Sequence, residues 1–137
     1  MILVIAMTGC KTSKKVTENT TPLRNIQWNL LSIGGEILDT TAYSKQPCIV
    51  FGDDGKFNGN FGCNSFYGDY YQKKQKLDID YLGSTKMLCN QMAVERAMLK
   101  AIKAEIDRFE IIDDVLILYA GKDEVIRFVS AGAIQQE

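Results

Sequence analysis

The run Gly59-Asn60-Phe61-Gly62-Cys63-Asn64-Ser65-Phe66-Tyr67-Gly68-Asp69-Tyr70 limits more than any other what this chain can fold into. Gly and Asn tolerate a positive φ, so Gly59, Gly62 and Asn64 predict a sharp bend or bulge that holds Cys63 at a defined angle. Alternation resumes after the bend, which predicts a strand. It puts Phe66, Gly68 and Tyr70 on one face and Tyr67, Asp69 and Tyr71 on the other. One set belongs to a core and the other to solvent, and alternation alone does not say which.

Short strands separated by Gly and Asp turns are expected on both sides of this run. Residues 26–30 alternate at period two, as do residues 77–81, where Leu77, Ile79 and Tyr81 share a face opposite Asp78 and Asp80. Residues 48–51 turn at 52–55 into Lys56 and Phe57, and residues 66–71 pair with 77–82 across the basic tip 73–76. Residues 109–112, 115–119 and 125–128, broken at Asp113-Asp114 and Gly121-Lys122-Asp123, form a meander. One helix is predicted, from an N-cap at Asn90 to about Asp107, with Val94, Met98, Leu99, Ile102 and Ile106 on a single apolar stripe. A helix with one buried stripe has one sheet to cover. The class is therefore α+β.

The chain's 137 residues, 46% hydrophobic and 24% charged, suit a single globular domain with one core. A formal net charge of −1 gives no electrostatic reason to bind nucleic acid. With no histidine, Ser-His-Asp and Cys-His nucleophile systems and the commonest zinc or copper ligand are excluded. Asp53-Asp54 and Asp113-Asp114 read as solvated turns, and Asp78 with Asp80 as a solvated strand face. No catalytic residue, metal site or cofactor is expected. A metal held by three cysteine thiolates lacks the zinc-knuckle spacing.

Downstream, Ser84-Thr85-Lys86-Met87-Leu88-Cys89 answers the first run. The two together resemble the META domain, the HslJ-like family of small bacterial envelope proteins, with its G-x-x-G-C-N-x-[FY]-x-G-x-Y and S-T-[RK]-M-x-C motifs. The matched positions include Gly59, Gly62, Cys63, Asn64, Gly68, Tyr70, Thr85, Lys86, Met87 and Cys89; Trp28-Asn29-Leu30 with Gly34-Gly35, and Pro47, are similar to the family's opening. The resemblance covers about residues 26–129. It implies a strongly curved, barrel-like antiparallel sheet with one main helix packed against it, and a stress-associated accessory or binding role rather than a known reaction. In an oxidising envelope Cys63 and Cys89 are natural disulfide partners; the alternative is two buried free thiols. Cys48, beside Ile49, Val50 and Phe51, reads as a core thiol.

Residues 1–9 read as a lipoprotein signal segment, because Met7-Thr8-Gly9-Cys10 resembles a lipoprotein box in which Cys10 is cleaved and acylated. The apolar stretch is short and carries no positive n-region, which fits a start codon further upstream. Residues 10–24 are then the acylated cysteine and a flexible tether, 25–130 the domain and 131–137 a disordered tail. The expected setting is the bacterial envelope, lipid-anchored and facing the periplasm. The partner is an envelope protein or, if the barrel has a cavity, a small apolar ligand; a carboxylate or Cys48 enzyme is the remaining alternative. Tyr67 and Tyr71 are the candidate binding surface, since tyrosine gives large contact area at low entropic cost. Cross-strand pairing within the hairpin is the competing role for them.

Overall fold

β-Branched and aromatic residues alternating with polar ones give a succession of short strands, and the computed structural model describes residues 21–41 and 43–132. The strands are β1 (Gln27–Ile33), β2 (Glu36–Ile37), β3 (Cys48–Phe51), β4 (Lys56–Asn60), β5 (Ser65–Lys73), β6 (Lys76–Ser84), β7 (Arg108–Ile112), β8 (Val115–Ala120) and β9 (Asp123–Ser130). One helix, α1 (Ala93–Lys103), lies between β6 and β7. All the strand pairs are antiparallel, and β1 pairs with β3 on one edge and β9 on the other, so the sheet closes into a ring. β2 is a short hairpin extension of β1. This is the curved, barrel-like sheet with one helix that the motifs imply.

Inward-facing residues fill the ring. Trp28, Phe51, Phe57, Phe61, Phe66 and Phe128 are almost wholly buried, each worth about 1.5–3 kcal/mol relative to exposure. Phe61 stacks on Phe66 at 4.2 Å, and Tyr70 meets Phe51 edge-on at 5.0 Å. α1 packs against β1, β6 and β9 with Val94, Met98, Ala101 and Ile102 buried. Among the described residues no helix is long and apolar enough to cross a membrane.

Several boundaries differ from the sequence expectation. Residues 21–24, expected as the end of the tether, belong to the fold: Leu23 is buried, its carbonyl accepts the Trp28 indole N–H at 2.9 Å, and Arg24 bridges to Phe51. Asn90 does not cap the helix. It is exposed, and residues 90–92 carry the chain from Cys89, which is bonded to Cys63, to a helix flanked by Met92 without a side-chain cap. The helix also stops at Lys103 rather than Asp107. The Asp107 N–H donates to the Tyr119 carbonyl and its own carbonyl accepts the Leu77 N–H, so this residue must be extended to enter the sheet. Ile106 is therefore buried from the connector, while Leu99 is half-buried at the stripe's edge.

Tyr81 departs from its expected face. Register runs from Asp69 opposite Tyr81 to Tyr70 opposite Ile79, leaving Asp80 as an extra, bulged residue. A bulge reverses alternation, so Leu82 packs on the core and Tyr81 turns outward. Cys10 and the signal segment lie outside the described residues, as does the tail from residue 133.

Candidate functional site

The two cysteine motifs meet as a latch. Asn60 Oδ1 accepts the Gly62 N–H at 2.6 Å and the Phe61 N–H donates to the Asn64 carbonyl at 2.8 Å, which tightens the bend before β5. Gly62 has φ of +103°, and a Cβ there would lie 2.8 Å from the Tyr43 ring, so only glycine suits the position. Gly59 and Asn64 lack a positive φ, contrary to the sequence reading. Gly59 is required for space instead: a Cβ would come within 2.2 Å of the Cys48 carbonyl and 2.3 Å of the Phe66 ring.

Asn64 is the hub. Its Oδ1 accepts the Met87 N–H at 2.7 Å and the Thr85 hydroxyl at 2.9 Å, and its Nδ2 donates to Glu95 Oε1 at 2.7 Å and the Met87 carbonyl at 3.0 Å. All four bonding positions of the amide are used. Cys63 beside it is bonded to Cys89, with the Cα atoms 6.1 Å apart. The loop between β6 and α1 is thus fastened by a covalent bond and a buried amide. Glu95, buried in the first turn of the helix, completes the latch and was not singled out from sequence. Its signal was modest: a carboxylate one place along from the apolar Val94. Lys86 is exposed, and Met87 contributes its backbone while its side chain is half exposed.

The outer face of β5 and β6 carries aromatics of a different kind. Tyr67, Tyr71 and Tyr81 are 52%, 55% and 52% exposed, too much for core residues. Tyr67 lies opposite Gly83, whose missing Cβ leaves a flat seat for the phenol ring, and its centroid is 6.3 Å from that of Tyr81. Tyr70 and Phe66 face inward. The Tyr70 hydroxyl donates to the Gly52 carbonyl, and burial pushes its pKa up while the nearby Arg24 guanidinium opposes that shift.

The other candidates sit apart from one another. Asp54 accepts the Lys56 N–H within its turn, Asp53 accepts Asn25 Nδ2 from the segment before β1, and Asp114 accepts from the Thr21 hydroxyl. Asp78 lies 3.6 Å from Lys76 on the surface. Among the described residues no three His, Cys, Asp or Glu side chains converge as a metal site. Cys48 is a free, half-buried thiol whose pKa is raised by burial, with the Asn60 backbone hydrogen bond acting in the opposite direction.

The family model of the META domain matches residues 21–133, a span that holds both halves of the latch. The chain belongs to the META domain family. Solved structures similar to this META-domain chain include a protein from Burkholderia xenovorans determined by NMR, 22% identical, with a TM-score of 0.64 over 80% of this chain and 83% of that one. A DUF4847 family protein from Bacteroides vulgatus, determined by crystallography, is 16% identical, with a TM-score of 0.55 over 78% of this chain and 93% of its own. No curated protein matches the chain. At these identities the likeness is one of fold.

Proposed function

We propose that this META-domain protein is a non-catalytic accessory module of the bacterial envelope, held at a membrane by a lipid on Cys10, and that it works through surface contacts. The observation that carries this reading is the outward set of Tyr67, Tyr71 and Tyr81 on the paired β5–β6 hairpin. Amphipathic rings held by a sheet offer contact area with little entropy left to lose. The interior supports the same choice over an apolar-ligand carrier, because large side chains with almost no exposure occupy it. The lack of histidine disfavours most hydrolytic chemistry, and the stress association rests on family resemblance alone.

Site-specific photocrosslinking in the native envelope tests the reading. A photoreactive residue at Tyr71 should give a discrete adduct that the same residue at exposed Lys122 does not. The Tyr67→Ser/Tyr71→Ser protein should stay folded and no longer compete for that adduct. Equal adducts at both positions would sink the assignment of this face. Turnover of a substrate that Asp78→Asn or Cys48→Ser abolishes would replace it with an enzyme.

A further inference from the structure

The ring of strands is joined unequally. β6 is nine residues long yet meets β7 through one residue pair, Lys76 with Arg108. Around that pair the Leu77 N–H donates to the Asp107 carbonyl at 3.1 Å and the Phe109 N–H to the Gln75 carbonyl at 2.9 Å. From Asp78 onward β6 has a strand neighbour on its β5 side alone among the described residues. Backbone groups two residues apart point the same way along a strand, so the Ile79 N–H faces the open side as the Leu77 N–H does. Such an edge is a template for another strand.

What faces the edge is the end of α1 and its connector to β7. Between them lies a cleft of about 560 Å³ lined by residues 78–82 and 102–107. Five strand residues give roughly 16 Å of edge, enough for a short extended segment. Ile79, Leu82, Ile102 and Ile106 supply apolar lining, while Asp78, Asp80, Glu105 and Asp107 set four carboxylates against the ammonium of Lys103 and that of Lys76, which is 3.6 Å from Asp78. Aspartates and a bulge on an edge deter pairing by apolar strands. The same charges favour a basic one.

The geometry points to the β6 edge as the seat of an extended, lysine- or arginine-bearing polypeptide segment that adds as a strand between β6 and the 104–107 connector. The inference rests on the reading of the protein as a binding module, but not on the tyrosine face. Its main-chain bonds come from β6 and its selectivity from the four carboxylates.

A fluorescent heptapeptide of alternating lysine and valine, titrated by anisotropy against the full chain in detergent, tests this. Saturable binding is expected, weakened about tenfold by Asp78→Lys/Asp80→Lys and reduced further by raised salt. The same peptide with N-methyl groups on alternate residues, in either phase, keeps its charge but loses main-chain donors, and one phase should lose binding. A peptide with glutamate in place of lysine should not bind. No saturable binding of the lysine peptide, or equal binding of both methylated peptides or of the glutamate peptide, overturns the proposal. If the charge-reversed protein fails to fold, the peptide variants decide alone. The Tyr67→Ser/Tyr71→Ser protein should bind the peptide undiminished; loss there would move the peptide to the tyrosine face and overturn the edge assignment, whereas a failed crosslink at Tyr71 leaves the edge assignment standing.

Discussion

Asn64 shows why a motif can be visible in sequence while its purpose is not. Its place after Cys63 suggested a turn residue, but its side chain instead satisfies the backbone of Met87, the hydroxyl of Thr85 and the carboxylate of Glu95. Long-range hydrogen bonds have no local periodicity, so nothing near Asn64 announces Glu95. Asn64→Ala should therefore cost about 2–4 kcal/mol in a urea unfolding titration, because it leaves buried polar groups without partners. A loss no larger than that of an exposed substitution would show the hub to be dispensable. Cys48 makes a second test at this scale. Burial disfavours its thiolate, so alkylation in the folded protein should be slow at neutral pH and rise with pH later than in the unfolded chain. Coincident pH profiles for the folded and unfolded thiol would contradict that.

Strands were easier to read than their defects. Tyr67, Asp69 and Tyr71 alternate cleanly through β5, and the structure keeps that alternation; in β6 the bulge at Asp80 sends Tyr81 outward, a change set by pairing with β5 rather than by any residue preference. The helix ends short of its expected place for a similar reason, since the bonds of Asp107 to β8 and β6 demand an extended residue there and override a continuous apolar stripe. Between β5 and its neighbours Gly68 leaves no room: an added Cβ would sit 1.8 Å from the Tyr81 carbonyl and 2.5 Å from the Phe57 ring. Gly68→Ala should thus disrupt the β5–β6 pairing, seen as loss of dispersion in the tyrosine and phenylalanine NMR signals. The disulfide closes the segment between Cys63 and Cys89, 26 residues apart. Replacing both by Ala should lower stability by about 3.5 kcal/mol in the chain-entropy model and expose the loop before α1 to rapid hydrogen exchange. An unchanged denaturation midpoint would mean that Asn64 alone holds the loop.

At the scale of the whole molecule the ring has a strong side and a seam. β8 is bonded to β7 and β9 along its length, whereas β6 and β7 share one pair. Hydrogen exchange should therefore find the Ile79 amide far less protected than those of Leu116 and Leu118. Equal protection would mean that the seam is closed in solution. The fold class was legible because many short alternating runs and a single helix admit few arrangements, but closure was supplied by the resemblance, not by any run of residues. The proposed membrane attachment is tested on the intact protein too: expressed from its complete gene, it should take up labelled palmitate and lose membrane retention on Cys10→Ser. Membrane fractionation of that variant, without palmitate on the parent, would end the lipoprotein reading. The closing pair of the ring, β1 with β9, joins the first long strand to the last. During synthesis, one side of β1 has no partner until the residues up to Ser130 have left the ribosome, although Cys63 and Cys89 are both made well before then. A ring closed this way stays open until its last strand arrives, so a chain cut short before Ser130 keeps an unpaired flank on β1 however well its middle is stapled.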